Sequence, residues 1–458
     1  MLNRFLLLAC GMIVAFGIFA VPFPDGAVAL MLVAILSAGT LAVFRRYTDE
    51  KDFVTMVFLV GLALRLGFGI MVQVFDIRDF FGGDAVAYDR AGASLVEIWL
   101  GHVTRSSAVI YTMDAAAAGS SWGMNYFTGF VYLLLGRNIF AAQSFCAVIG
   151  AATAPMVFFC AHKIFNNMRV AKMSAVAIAV FPSFIIWSSQ LLKDGLIIFL
   201  LVLAMTMVLQ LQKQFSYSAL AMLVFSLFGI LSLRFYIFYI VVIAVAGSFL
   251  VGLSSSNASI FRRTAILVVI AVALLYLGVD RIATVEYETF GSLQRVQSSR
   301  SDLARSAKSG FGEDVDVSTT GGAISALPIG FSYLMFAPFP WQTSNLRQAI
   351  PIPEVLLWWA MLPFLIMGLW YTIKHRLRNA FPILIFSLLL TIAYSLFQGN
   401  VGTAYRQRTQ IQVFLFIFIA VGYQLYQERR ENQQILQAEA KRRVESNLRR
   451  GTMAVNKS

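Results

Sequence analysis

Apolar residues fall along this chain in runs of about twenty, and polar residues gather in the short stretches between them. A run of ~20 apolar residues is what an α-helix needs to cross ~30 Å of hydrocarbon. In that medium every backbone N–H and C=O must be satisfied internally, so a spanning segment is a helix or part of a closed barrel. The runs here are long and unbroken rather than ten-residue alternations, which points to helices. The pattern predicts about twelve spans, near 5–22, 26–44, 53–75, 138–161, 170–187, 192–212, 218–233, 235–253, 264–279, 354–373, 379–397 and 409–427. The first run follows a single Arg4 and has the look of a signal peptide, but a second run comes almost at once, so a retained span is expected. The expected fold class is an all-α integral membrane protein, with residues 1–427 as the membrane domain and 428–458 as a basic tail.

The charged residues between runs set an expected orientation. Arg45, Arg46 and Lys51 follow the second run; His162, Lys163, Arg169 and Lys172 flank the turn after the fourth. Arg262 and Arg263 precede the ninth, and Lys374, Arg376 and Arg378 separate the tenth from the eleventh. With the spans counted as above, all four clusters fall on one side, together with Arg429, Arg430, Lys441, Arg442, Arg443, Arg449 and Arg450 of the tail. Basic loops stay cytoplasmic, so both termini are expected there, in a multi-pass protein of the inner or plasma membrane. The apolar stretch Trp122–Leu135 is too short to span and is expected at the outer interface. Two large extracytoplasmic loops with juxtamembrane helices result, about 76–137 and 280–353. The second has a polar Ser/Gly/Arg-rich part and then an apolar, aromatic stretch over 331–341. The tail mixes acids, bases and Gln at helical spacing and is expected to be a solvated helix that fades into disorder.

Composition sharpens this picture. The chain is 59% hydrophobic and only 13% charged, with a mean hydropathy of +0.74, far from the balance of a soluble domain. The net charge of +13 is accounted for by the basic loops, so nucleic acid is not expected as a partner, whereas the lipid bilayer is. Cys10, Cys146 and Cys160 sit inside apolar runs, with no disulfide framework. His102, His162 and His375 are far apart, so no metal-binding residues are assigned and no cofactor is expected. There is no phosphate-binding glycine loop and no dinucleotide fingerprint.

Ionisable groups near span ends are costly and invite a functional reading. On the expected outer face these are Asp76, Asp79, Asp84, Asp89, Arg90 and Asp114 in the first loop, Lys193 and Asp194 at the sixth span, Arg234 between the seventh and eighth, Arg347, and Arg406 and Arg408 before the last. In Phe80-Phe-Gly-Gly-Asp84, the glycines allow close approach to a ligand, and Tyr88 follows Asp84 by one helical turn. The alternative is that Asp84 is an N-cap, which Asp commonly is at such a position. Lys193 and Asp194 read as a cap with an interfacial lysine, or as function. Arg234 interrupts an apolar run of about thirty residues. Its planar fork suits a phosphate; snorkelling to the interface is the alternative. Arg406 and Arg408 lie on a side where arginine is disfavoured, which an anionic headgroup would explain.

Residues 79–250 resemble the membrane glycosyltransferases of the GT-C fold. The nearest likeness is to the dolichyl-phosphate-mannose–protein mannosyltransferase-like group and its bacterial relatives, including the aminoarabinose transferases. The resemblance is carried by Asp84-Ala-Val-Ala-Tyr88, by Asn125-Tyr-Phe-Thr-Gly-Phe-Val-Tyr-Leu-Leu-Leu-Gly136 with the span after it, and by Phe181-Pro182 leading to Lys193-Asp194. Tyr405-Arg406-Gln-Arg408 is a weaker match. Relatives often carry an acidic pair or a His-Pro motif in the first loop; here Asp89 stands five residues from Asp84. The resemblance implies transfer of a sugar from a polyprenyl-phosphate-linked donor to a glycan, lipid or protein acceptor on the extracytoplasmic face. It implies Asp84 as base and Asp194 as second acid, with Tyr88, Lys193, Arg234, Arg406 and Arg408 binding substrate. Some members of the wider fold use a divalent metal. A surface-polysaccharide repeat-unit polymerase or ligase is the second expectation, in which the arginines matter more than Asp84. A transporter or flippase is the third, and it lacks the internal repeat such folds commonly show.

Overall fold

The computed structural model describes residues 2–81, 83–102, 122–251, 266–273, 292–305, 309–312, 315–343 and 346–455. Among them the chain is all-helical, with one isolated bridge and no strand. The helices are α1 (Leu2–Ala20), α2 (Asp25–Arg46), α3 (Lys51–Val74), α4 (Asp84–Trp99), α5 (Trp122–Leu135), α6 (Ile139–Phe165), α7 (Met168–Val180), α8 (Pro182–Ser188), α9 (Lys193–Lys213), α10 (Tyr217–Leu233), α11 (Phe235–Val251), α12 (Leu293–Arg305), α13 (Thr320–Phe336), α14 (Ile352–His375), α15 (Leu377–Phe397) and α16 (Val401–Val455). Among the described residues seven helices are long and apolar enough to cross a membrane, or eight if α7 and α8 form one bent span. The protein is an all-α, multi-pass membrane protein. The other apolar helices, α1, α10, α11 and α13, are shorter.

The centre of the bundle is α6, α9 and α16, whose apolar windows are each 83% buried. Helix α1 stands at the edge, with Phe5, Met12, Phe16 and Phe19 exposed. A contiguous row of large apolar side chains suits a surface that faces lipid.

Two elements differ from the sequence expectation, and a third, a helix expected in the second loop, is given its bounds. The run 170–187 is not one straight span. Pro182 has no N–H to donate into the preceding turn and forces the residue before it out of the helical region. Phe181 accordingly takes φ −69°, ψ 128°, and α7 and α8 meet at a 55° bend. The expected turn 398–408 is helical from Val401 onward. Its polar residues pack inward against other helices, so their polarity does not mark a loop. The apolar part of the expected second loop is a helix, α13, capped by the Thr319 side chain on the Gly322 N–H at 3.1 Å. The tail continues as helix to Val455, in keeping with its Ala, Glu, Gln and Arg content.

Candidate functional site

A cavity of about 890 Å³ opens where α4, α8, α9 and the start of α16 converge. Its charged lining comes from Asp84, Lys193, Arg234, Arg347 and Arg406. Its aromatic lining includes Phe80, Phe81, Trp187 and Tyr405, and Ser309, Asn400 and Gln407 add neutral polar groups. Residues more than three hundred positions apart in sequence are thus brought to one wall.

Arg406 is the centre of this arrangement. Its Nη1 donates to Asp84 Oδ2 at 2.8 Å, and its Nε donates to Asp194 Oδ2 at 2.6 Å. One guanidinium therefore bridges two carboxylates from different helices, as its planar fork permits. Arg234 approaches the other oxygen of Asp194 at 3.5 Å and the Tyr394 hydroxyl at 3.5 Å. Tyr394 in turn donates to Gln410 Oε1 at 2.6 Å. The Arg406 guanidinium lies over the Trp187 ring, 5.6 Å from its centroid. Arg347 lies over Phe80 at 5.2 Å.

Local sequence explains each placement. Gly83 precedes α4 without a side-chain cap, so Asp84, the first helical residue, is turned to Arg406 rather than used as a cap. Leu192 is extended, at φ −131°, ψ 145°, and starts α9 with Lys193 and Asp194. Arg234 is the extended residue between α10 and α11, at φ −159°, ψ 91°. It is buried and held at the junction by its partners. The side chain of Asp84 is 47% exposed and that of Asp194 is 0% exposed. Asp84 can therefore meet a ligand directly, whereas Asp194 acts on the cavity through Arg406 and Arg234.

Two of the expected substrate-binding residues lie elsewhere. Tyr88 is buried on α4 and does not line the cavity. Arg408 follows Arg406 by two positions, which on a helix turns it to the far side. Its Nη1 donates to the carbonyls of Met335 and Ala337 at 3.0 Å each. That grip holds the end of α13 and the start of the Ala-Pro-Phe-Pro-Trp run, from which Pro338 lines the cavity. Beside it, the buried Glu354 carboxylate accepts from Ser183 and, at 2.8 Å, from Tyr405. Asp76 is exposed and pairs with Arg78 at 3.0 Å, and Arg90 is exposed away from the cavity. Asp114 and the side chain of Asp79 lie outside the described residues.

A further ion pair, joined by a tyrosine of α5, ties α4 to α5 and the turn after it. Arg137 donates to Asp89 at 2.6 and 3.3 Å, and Tyr132 donates to the same carboxylate at 2.7 Å. Partial burial raises the Asp89 pKa, but the bonds from Arg137 and Tyr132 outweigh it and hold the group below the usual carboxylate range. A depressed acid adds stability above its unfolded pKa of about 3.9 and loses it as pH falls through the folded value. Below about pH 4, then, the wild type is expected to lose thermal stability more steeply than Asp89→Asn. Thermal unfolding between pH 7 and pH 3 tests this, and superimposable acid limbs would count against it.

Trp187, Phe80, Asn400 and Tyr394 were not foreseen as site residues. The first two sit in apolar context that reads as membrane interface, and nothing in their spacing marks a cavity. Asn400 had a signal in Gly399-Asn-Val-Gly402, a polar stop before a helix. Its side chain caps α16, accepting from the Gly402 N–H at 2.8 Å. Among the described residues no three His, Cys, Asp or Glu side chains come together as a metal would require. No protein-family model matches the chain, and no curated protein matches it.

Proposed function

We propose that this protein is a membrane glycosyltransferase that moves a sugar from a polyprenyl-phosphate-linked donor to a hydroxyl-bearing acceptor. The observation that carries the reading is Arg406 joined to both Asp84 and Asp194 at the wall of a cavity that also holds Lys193, Arg234 and Arg347. Two carboxylates and several cations around one apolar-rimmed space suit an anionic headgroup with a lipid tail. In the reaction the acceptor hydroxyl loses its proton to Asp84 and its oxygen bonds to the anomeric carbon. The bond from that carbon to the phosphate oxygen breaks, and the polyprenyl phosphate leaves with the electron pair. Arg406 and Arg234 stabilise the charge that grows on the departing phosphate. A phosphate that draws Arg406 toward itself also releases Asp84 to act as base. In this reading the fold is GT-C-like with about twelve spans, the short apolar helices included. Both termini are cytoplasmic, and the cavity faces the outer leaflet of the plasma or inner membrane, because the basic clusters then share the cytoplasmic side. Acceptors of glycan, lipid or protein type all supply the required hydroxyl.

The test is transfer of radiolabelled sugar from polyprenyl-phosphate donors by the purified protein. Wild type is expected to turn over a donor, and Asp84→Asn to lower kcat at least ~10²-fold, the usual worth of a positioned base. The contribution of Arg347, Ser309 and Asn400 to the cavity favours a second reading, a repeat-unit polymerase or ligase. Full activity in Asp84→Asn, with loss in Arg406→Ala, selects it. No turnover by wild type across a broad donor panel counts against both.

A further inference from the structure

Arg65 is a cation in the middle of a membrane helix, 1% exposed, and it forms no ion pair among the described residues. Such a residue needs a reason to be there. Its hydrogen bonds go to the carbonyls of Gly61 at 3.0 Å, Ala179 at 3.2 Å and Ile178 at 3.2 Å, and to Ser188 Oγ at 2.8 Å. The carbonyls of residues 178 and 179 are the ones the helix break deprives of partners. In an unbroken helix Ile178 would accept from residue 182, which here is a proline without an N–H. The guanidinium supplies the missing donors, and the negative end of the α7 dipole faces its charge in place of a carboxylate. Ser188, at the end of α8, passes the contact on by donating to the Phe184 carbonyl.

The packing around this knot leaves no slack. A Cβ on Gly150 would lie 2.4 Å from Ser188 Oγ and 3.0 Å from Arg65 Nε. A Cβ on Gly195 would lie 2.6 Å from the Ser188 Cβ. Arg65 is therefore bonded to both legs of the broken helix from behind. Immediately before Ser188 stands Trp187, the ring on which Arg406 lies. Five and six residues after it come Lys193 and Asp194.

We infer that Arg65 is a positioning residue for the cavity: it fixes the break between α7 and α8 and so sets Trp187, Lys193 and Asp194 against Arg406. The inference rests on the anion-binding reading of the cavity for its consequence, but not for its geometry. Arg65 does not line the cavity, so its effect there must travel through α8.

The experiment uses the full-length protein in nanodiscs, as wild type, Arg65→Met, Arg65→Lys and Ser188→Ala. Amide hydrogen exchange is read by mass spectrometry over 183–195, and affinity is read for farnesyl phosphate. Arg65→Met is expected to speed exchange over 183–195 while α2 and α14 exchange as in wild type, and to weaken farnesyl phosphate about tenfold, the worth of a hydrogen bond to a charged group. Arg65→Lys restores charge but not the fork, and is expected to recover only part of either loss. Ser188→Ala, which removes one acceptor and little volume, is expected to keep the wild-type unfolding temperature within a few degrees and to weaken the ligand by a smaller factor. Exchange over 183–195 unchanged in Arg65→Met, or raised equally throughout the molecule, overturns the inference. If wild type itself does not bind farnesyl phosphate, the functional reading fails and the exchange pattern still decides the role of Arg65.

Discussion

Arg406→Ala is expected to abolish sugar transfer and to destabilise the folded protein together. The two losses have one cause. Arg406 bridges Asp84 and Asp194, and the Asp194 side chain has no exposed surface. Without Arg406, the buried carboxylate loses its two shortest contacts and is left with more distant cations, Arg234 at 3.5 Å among them. Breaking a buried pair by removing one partner costs about 3–5 kcal/mol, because the remaining charge stays out of water. In the proposed reaction, Arg406, bonded to both acids, is the donor assigned to the departing phosphate. Loss of one such donor lowers kcat by about 10²–10³-fold. Arg406→Lys is expected to be nearly as poor, since a point charge cannot reach two carboxylates at once. The sharper test is Arg406→Ala with Asp194→Asn. The second change removes the orphaned charge, so the double variant should unfold at a higher temperature than Arg406→Ala alone while staying inactive. Thermal unfolding in detergent and single-turnover transfer measure the two effects. If the double variant is the less stable, Arg406 is not the partner that makes burial of Asp194 tolerable.

The elements that follow from hydrophobic period alone were legible in the sequence, and those that depend on tertiary partners were not. The run 192–212 became α9, Lys193–Lys213, because the bilayer fixes both its length and its helicity. The short apolar stretch Trp122–Leu135 is likewise a helix with those bounds. The start of α16 was hidden because Arg406, Gln407 and Arg408 read as part of a polar turn before the last span, whereas Gln407 and Arg408 are buried in the bundle and Arg406 is partly buried. A helix in the second loop was expected, but the bounds of α13 were not legible, because Gly321, Gly322 and Pro328 weaken a helix in isolation and are carried here by contact with α15. At the site, Asp84, Lys193, Arg234 and Arg406 stood out because charge is conspicuous against an apolar background. Arg408 is conspicuous for the same reason, but its Nη1 is taken up by backbone carbonyls away from the cavity. Arg65 makes the complementary point, since it was passed over within an apolar run although it is the most deeply placed cation of α3.

The second large effect falls on stability and arises far from the cavity. Gly422→Ala and Gly368→Ala are each expected to lower the unfolding temperature strongly, although alanine is the better helix former. A Cβ on Gly422 would lie 1.9 Å from the Phe364 carbonyl oxygen, and a Cβ on Gly368 would lie 1.8 Å from that of Phe418. Both obstacles are backbone, so no side chain can swing aside. The contact is reciprocal, with residues 364 and 368 of α14 against 418 and 422 of α16, one helical turn apart on each. Small residues at such a crossing let two membrane helices meet at backbone distance, and dispersion between them then holds the pair. One added methyl forces the axes apart along the whole contact, which should exceed the about 1–3 kcal/mol of ordinary overpacking. Gly39→Ala is the control, because nothing lies within 4 Å of a Cβ there. The effect should also reach the site. Gly422 lies 16 residues beyond Arg406, about 24 Å along the same helix. Spreading α14 from α16 pulls Glu354 from Tyr405, now bonded at 2.8 Å, and Tyr405 directly precedes Arg406. Gly422→Ala is therefore expected to lose transfer even below its unfolding temperature, whereas Gly39→Ala keeps both. Equal unfolding temperatures for the two variants would mean that α14 and α16 do not meet at backbone contact, and that the position of Arg406 is fixed by the cavity end alone.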